Sequence, residues 1–286
     1  MEKRALKSGK LLESLCTLFP DQSHKKIKNA LKNGAVLVNG KVRTKYDYPV
    51  HPQDKIEIQK EYKTHKKSPL KIIYEDQNFL VVEKPAHLLT IATDKEKEKT
   101  VYHKMREFIK KRHSKDKIFI LHRLDQDTSG VLVFVKNEKI KTTLQQSWNQ
   151  YVQKREYYAI VKGIPETKKN YTCYLKEDQN NFVFVTDDSK KGKKAVTSFE
   201  VIKTNGVESL LKVNIKTGRK NQIRVVLSYL GYPIVGDKKY GGPKADRLYL
   251  QASKLKLKGE DHKTYCFETP IEASFLQRLK KKGKSE

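Results

Sequence analysis

The spacing of apolar residues changes several times along the chain, and each change marks an element. Leu11, Leu12, Leu15, Leu18 and Phe19 recur at helical intervals, and Pro20-Asp21 breaks the run. Ser23 stands where it caps a second helix carrying Ile27, Ala30 and Leu31, which Gly34 ends. Ala35 to Val38 reads as a strand, Asn39-Gly40 as a tight hairpin turn, and Lys41 to Arg43 as the returning strand. Asp54 to Ile58 is a further short strand. Residues 61 to 69 carry no apolar period and end in Pro69, the pattern of a flexible linker.

Strands dominate the rest. Ile72 to Tyr74 and Phe79 to Val82 flank the turn Glu75 to Asn78. Val101, Met105, Phe108 and Ile109 mark one face of a helix ending near His113. Ile118 to Leu121 and Val131 to Val135 are short apolar runs typical of buried strands. Asn137 is placed to cap a helix whose buried stripe is Ile140, Leu144 and Trp148. Arg155 to Gly163 reads as a strand with alternating faces, one of its two tyrosines buried and one out. Tyr171 to Leu175 and Phe182 to Val185 form a hairpin, and Ala195 to Ile202 and Leu210 to Ile215 are further strands. Asn221 sits at the N-cap of a helix with Ile223, Val226, Leu227 and Leu230 on one face, closed by Gly231. Thr269-Pro270 opens a last helix, with Pro in its first turn.

The charge balance changes the picture. Of 286 residues, 61 are Lys or Arg and 33 are Asp or Glu, a net +28. That excess exceeds what solubility needs and implies a polyanionic partner. No apolar run is long enough to span a bilayer, and no hydrophobic core follows the charges of the first residues, so neither a membrane span nor a secretory signal is expected. Cys16, Cys173 and Cys266 are odd in number and far apart, which suits free thiols in a reducing cytoplasm and gives no zinc pattern. There is no Walker loop, dinucleotide fingerprint or set of paired metal ligands, so neither cofactor nor metal is expected. Nothing requires an obligatory protein partner.

Chemistry is concentrated between the two buried runs, in His122-Arg-Leu-Asp-Gln-Asp-Thr-Ser-Gly130. A polar loop between buried strands presents its side chains from a rigid frame, here His122, Arg123, Asp125 and Asp127. The same residues also make an ordinary turn. A triad of His122, Asp125 and Ser129 lacks a G-x-S-x-G elbow, and a hydrolase using His122 and Asp125 lacks a third partner.

This stretch resembles the catalytic motif of the RluA-type pseudouridine synthases, with every fixed position present. The resemblance runs over roughly residues 70 to 275. Lys84-Pro85-Ala86-His87-Leu88 is similar to the family's Lys-Pro-Ala-Gly-Leu, with His87 for Gly and strain there if the position demands a positive φ. Arg155-Glu-Tyr-Tyr-Ala-Ile-Val161 resembles Lys-x-Tyr-x-Ala-x-Val and selects Tyr157. Thr217-Gly-Arg-Lys-Asn-Gln-Ile-Arg224 resembles a segment containing Gly-Arg-x-His-Gln-Ile-Arg, with Asn221 for His, and Leu230 to Asp237 follows in place. Gln251 stands where His is usual. The first segment, through Asn33-Gly-Ala-Val-x-Val-Asn-Gly-Lys-Val42, is similar to an S-four-type RNA-binding domain.

The resemblance implies an α+β protein. It would have a pseudouridine synthase fold at 70–275, a mixed and mostly antiparallel sheet with a central catalytic cleft. A small RNA-binding domain would precede it at 1–60, with a linker at 61–69 and a basic tail at 276–286. It implies that Asp125 is the nucleophile, that Arg224 keeps Asp125 charged and oriented, and that Tyr157 stacks on the uracil and transfers a proton. A cation in the first turn of a helix gains nothing from the helix dipole, so Arg224 needs such a carboxylate. Arg123, with His122 and Arg219, would hold the flipped nucleotide or touch RNA. His122 would shape the loop or contact RNA rather than act as a base, and Asp127 would be a turn residue. Lys25, Lys26, Lys28, Lys32 and Lys41 would contact RNA from the first domain. The favoured substrate is large-subunit ribosomal RNA; the alternative is a non-catalytic RNA-binding or ribosome-assembly factor that keeps the fold.

Overall fold

The computed structural model describes every residue except 1, 33, 60–67, 95, 113 and 281–286. Most of the expected linker, and the end of the expected tail, lie outside the described residues. The chain divides into two compact units, Met1–Ser68 with Phe108–Lys115, and Pro69–Glu107 with Asp116–Glu286.

The first unit contains β1 (Glu2–Arg4), β2 (Gly9–Lys10), α1 (Leu11–Leu18), α2 (His24–Lys32), β3 (Val36–Val38), β4 (Lys41–Val42), β5 (Pro49–Val50) and β6 (Lys55–Ile58). Its main sheet has the order β1-β6-β3-β4, and β2 pairs with β5. The helical apolar stripes make the core: Leu11, Leu15, Ile27 and Leu31 are buried with Val36, Val38 and Ile56. Ser23 Oγ accepts the Lys26 backbone N–H at 3.3 Å, the expected cap. Asn39 and Gly40 both have positive φ, at 50° and 74°, as a two-residue hairpin turn between right-twisted strands requires.

The second unit contains β7 (Ile72–Glu75), β8 (Phe79–Lys84), most of α3 (Val101–Arg112), β9 (Phe119–Ile120), β10 (Ser129–Val135), α4 (Glu138–Gln146), α5 (Trp148–Tyr151), β11 (Val152–Lys162), β12 (Lys168–Glu177), β13 (Val183–Thr186), β14 (Lys193–Thr204), β15 (Glu208–Ile215), α6 (Gln222–Tyr229), β16 (Leu250–Lys258), β17 (Thr264–Glu268) and α7 (Ala273–Lys280). Its sheet has 11 strands in the order β13-β12-β14-β15-β11-β16-β10-β8-β7, with β17 on β16 and β9 on β10. Among the described residues every pairing in it is antiparallel except β10 with β16. Alternation along β11 and β15 puts Ala159, Val161, Leu211 and Val213 on one face, under Ile223 and Leu227 of α6. Ile160 and Leu210 lie on the other face with Phe275 and Leu279 of α7.

Several expected details change. The run Ile118 to Leu121 pairs as a strand only at Phe119–Ile120, although Ile118 and Leu121 are buried. α4 stops at Gln146, so Trp148 is not part of its buried stripe; it starts α5 and is half-buried. The last helix begins at Ala273, after Pro270 rather than with it, and continues to Lys280 where a tail was expected. Tyr158 is not the outward partner of Tyr157: each is half-buried, and they pack on opposite faces of the sheet.

Candidate active site

The loop between Leu121 and Ser129 is short, yet its backbone is held along most of its length. Gln145 Nε2 donates to the carbonyls of Ile120 at 3.1 Å and Leu121 at 2.9 Å. Thr90 Oγ1 donates to Leu124 O at 2.8 Å and accepts the Leu124 N–H at 3.3 Å. Lys84 Nζ donates to Gln126 O at 2.7 Å and to Pro85 O at 3.0 Å. Thr128 N–H closes the turn on Asp125 O at 3.2 Å. Ser129 joins Arg247 and Glu272, with Arg247 Nη2 donating to Ser129 Oγ at 2.7 Å. Gly130 then has φ 111°, and a Cβ there would meet Ala252 O at 2.1 Å, so only glycine lets β10 approach β16.

His122 serves this frame. Its Nε2 accepts the Val133 N–H at 3.2 Å, which requires an unprotonated nitrogen. Burial, helped by the Arg155 guanidinium, pushes the imidazole down to about 4. Asp127 lies in the turn, but its carboxylate also meets His87 Nδ1 at 3.0 Å. His87 does adopt a positive φ, 64°.

Asp125 points into a cavity of about 630 Å³, the size of an ordinary small-ligand pocket. The walls include Leu89, Ile91, His122, Arg123, Trp148, Arg155, Tyr157, Ile215, Gly218, Arg219, Asn221, Arg224 and Leu250. The fold therefore brings together Arg123, His122, Asp125, Tyr157, Arg219 and Arg224, which come from three separate segments. The Asp125 side chain is 37% exposed and the Arg224 side chain 11%. Arg224 Nη1 lies 3.8 Å from Asp125 Oδ2, an ion pair beyond hydrogen-bond length. The pair is therefore a looser contact than a charge-assisted hydrogen bond. Both of the guanidinium's short bonds, at 2.7 Å, run from Nε and Nη2 to Asp237, whose side chain is wholly buried. Burial alone would lower the Arg224 pKa; the Asp237 carboxylate outweighs it, Asp125 adds to the effect, and the net shift is upward.

The short bond to Asp125 comes instead from Asn221, whose Nδ2 donates to Oδ2 at 2.6 Å. Asn221 precedes α6 as expected, but its φ is 51° and its side chain makes no cap bond. The left-handed backbone turns the amide away from the first turn and into the cavity. Tyr157 stands on β11 against the apolar cluster under α6. Burial pushes its phenol up to about 12, with Asp125 adding and Arg155 opposing. Arg155 donates through Nη2 to Lys216 O at 2.6 Å, and its guanidinium lies 5.9 Å from the Trp148 ring. Gln251 is buried; it binds Pro270 O at 2.8 Å and the Glu272 N–H at 3.0 Å, so it fastens the segment before α7.

Reading the sequence missed Lys84, Thr90, Asp237, Tyr240 and Arg247 as parts of this frame. Lys84 and Asp237 lie inside segments that the family pattern marks. Thr90 and Arg247 carry no local signal, because their partners are remote in sequence. In the first unit, Lys25, Lys26, Lys28, Lys32 and Lys41 are all exposed, as a basic contact surface requires. Among the described residues no group of three or more His, Cys, Asp or Glu side chains is arranged to hold a metal ion. No described helix is long and apolar enough to cross a membrane.

Comparison with known proteins places the chain in a family. Residues 78–229 match the RNA pseudouridylate synthase family model, and residues 10–56 match the S4 domain model. An RNA pseudouridine synthase of Helicobacter pylori is 32% identical over 240 residues, covering 83% of this chain and 89% of the relative. Ribosomal large subunit pseudouridine synthase D of Escherichia coli is 29% identical over 238 residues, covering 82% and 73%. The solved structure of human RNA pseudouridylate synthase domain containing 4 shares the fold, with a TM-score of 0.62 at 22% identity, covering 73% of this chain and 93% of that one. The chain belongs to the RNA pseudouridine synthase family, the isomerases that convert uridine to pseudouridine in RNA, and carries an S4 domain ahead of the synthase domain.

Proposed function

We propose that this pseudouridine synthase acts on uridines of large-subunit ribosomal RNA, with Asp125 as its nucleophile. The observation that carries this reading is the Asp125 carboxylate, held in the cavity by Asn221 at 2.6 Å and faced by Arg224 at 3.8 Å. The reaction breaks the bond from ribose C1′ to uracil N1 and makes one from C1′ to C5. N1 gains a proton and C5 loses one, so no net oxidant, reductant or cofactor enters. Asp125 attacks the nucleotide, and Arg224 stabilises the carboxylate without quenching it in a direct bond. A carboxylate recessed in a cavity reaches a uridine only after the base leaves its stack. Arg123, exposed at the rim, fills the space left behind, and Arg219 and Arg155 face the phosphates of the extruded nucleotide. Tyr157, neutral up to about pH 12, stacks on the uracil and relays a proton rather than standing as a phenolate.

Support for a ribosomal target comes from the S4 domain, the net charge of +28 and the named relative of Escherichia coli. The test is to map pseudouridines in RNA from cells with the intact gene, without it, and with Asp125→Asn. Large-subunit sites that vanish together in the last two, with RNA affinity of the purified variant within about twofold, are expected. Persistence of every site in the Asp125→Asn cells would refute the assignment.

A further inference from the structure

Asn221 occupies the position at which the family pattern carries His, and it makes the shortest contact to Asp125. Its amide has two partners. Nδ2 donates to Asp125 Oδ2 at 2.6 Å, and Oδ1 accepts from the Tyr240 hydroxyl at 3.2 Å. The carboxylate decides which way round the amide sits, and the Tyr240 hydroxyl anchors its other end. Turned over, it would set its carbonyl oxygen against the carboxylate, acceptor against acceptor. Tyr240 is itself fixed: its backbone N–H donates to Asp237 Oδ1 at 3.1 Å, and its ring lies 5.0 Å from Phe182 and 5.2 Å from the Arg224 guanidinium. Arg224 does not do this work: Nε and Nη2 are committed to Asp237, and Nη1 stays 3.8 Å from Oδ2, beyond hydrogen-bond length.

From this we infer that Asn221 is a positioning residue for the isomerisation, aiming the Asp125 carboxylate while Tyr240 holds the amide in register. The inference rests on Asp125 as nucleophile and adds which oxygen attacks. Both Asn221 and Arg224 approach Oδ2, and among the described residues none donates a hydrogen bond to Oδ1. Oδ1 is therefore the attacking atom, and Oδ2 the one held back. A neutral donor suits this task, since it orients the carboxylate without cancelling its charge.

The test uses full-length protein in single-turnover reactions on an RNA that the wild type modifies. Asn221→Gly removes the amide at a φ of 51° without adding backbone strain. It should slow the chemical step roughly 10- to 100-fold, the loss of one hydrogen bond to a charged group, with RNA Kd within about twofold. Asn221→His keeps an N–H donor on a residue that tolerates this backbone region, and should recover the rate to within roughly threefold of wild type. Tyr240→Phe should show a smaller loss of roughly 3- to 10-fold, again without a change in Kd. A wild-type rate for Asn221→Gly, or no recovery in Asn221→His, overturns the proposal. A readout independent of turnover separates this from failure of the assignment itself. Crystal structures of wild type and Asn221→Gly should show the Asp125 carboxylate in one orientation and in two, respectively. A single unchanged orientation in the variant also overturns it, whether or not any RNA is modified.

Discussion

Replacing Lys84 by Met tests how the loop that carries Asp125 is held. The Lys84 side chain has 0% exposure, and its amine donates to the Gln126 and Pro85 carbonyls. Burial pushes it down from 10.5 to about 7, against the opposing pull of Asp127 and Asp125. For a base whose folded pKa is lowered, the unfolded chain binds the proton more readily between the two values. Stability therefore rises with pH from about 7 toward 10.5 and is lost as pH falls through that window. At about 1.36 kcal/mol per pH unit, the whole window amounts to on the order of 5 kcal/mol, and the part from about pH 7 to about pH 9 to roughly 2–3 kcal/mol. Lys84→Met abolishes this dependence. It also leaves two carbonyls without their donor, at about 1–3 kcal/mol each at every pH. Urea unfolding followed by the fluorescence of Trp148, the chain's one tryptophan, measures both effects. The wild type should gain roughly 2–3 kcal/mol over the variant between about pH 7 and about pH 9, on top of a constant deficit in the variant. Parallel profiles for the two proteins would refute the account of a buried, readily neutralised amine.

Three further outcomes are expected. Asp237→Asn leaves the Arg224 guanidinium without its buried counter-charge and should cost about 3–5 kcal/mol in unfolding experiments, with turnover falling as well; a loss under about 1 kcal/mol would show that Asp125 alone suffices for Arg224. Gly130→Ala places a Cβ 2.1 Å from Ala252 O at a φ of 111° and should cost more than about 4 kcal/mol; soluble protein with a wild-type melting temperature would contradict the close approach of β10 and β16. Changing Lys25, Lys26, Lys28 and Lys32 together to Ala should weaken RNA binding and flatten its salt dependence by up to about four units of slope, with single-turnover chemistry on saturating RNA retained; an unchanged slope would remove these lysines from the RNA contact.

Local patterns predicted local structure well. Apolar spacing located both helices of the first unit, and Asn39-Gly40 announced its turn because that pair tolerates two positive φ values in a row. Around the site, the residues that touch were named but not always their partners. Arg224 was rightly taken to need a carboxylate, yet the one that binds it directly is Asp237, 13 residues further along. Asn221 looked like a cap because Asn before an apolar stripe usually is one. Its left-handed backbone, which spacing does not reveal, sends the amide to Asp125 instead. Trp148 matched a helical stripe that the chain abandons after Gln146. The anchors Thr90 and Arg247 were illegible for a simpler reason. Each acts on the loop from a distant segment, and only the folded sheet makes them neighbours.

The order of the large sheet sets when this enzyme can first work. β16, almost the last strand to be synthesised, lies between β10 and β11 and brings Leu250 to the cavity wall and Ala252 against Gly130. Until that strand leaves the ribosome, the two halves of the sheet have nothing to join them, and the nascent chain carries the Asp125 loop on an unclosed edge. Such late, long-range closure slows folding and exposes unpaired strands during synthesis. The same ordering leaves a polypeptide cut short before β16 without a finished cavity wall.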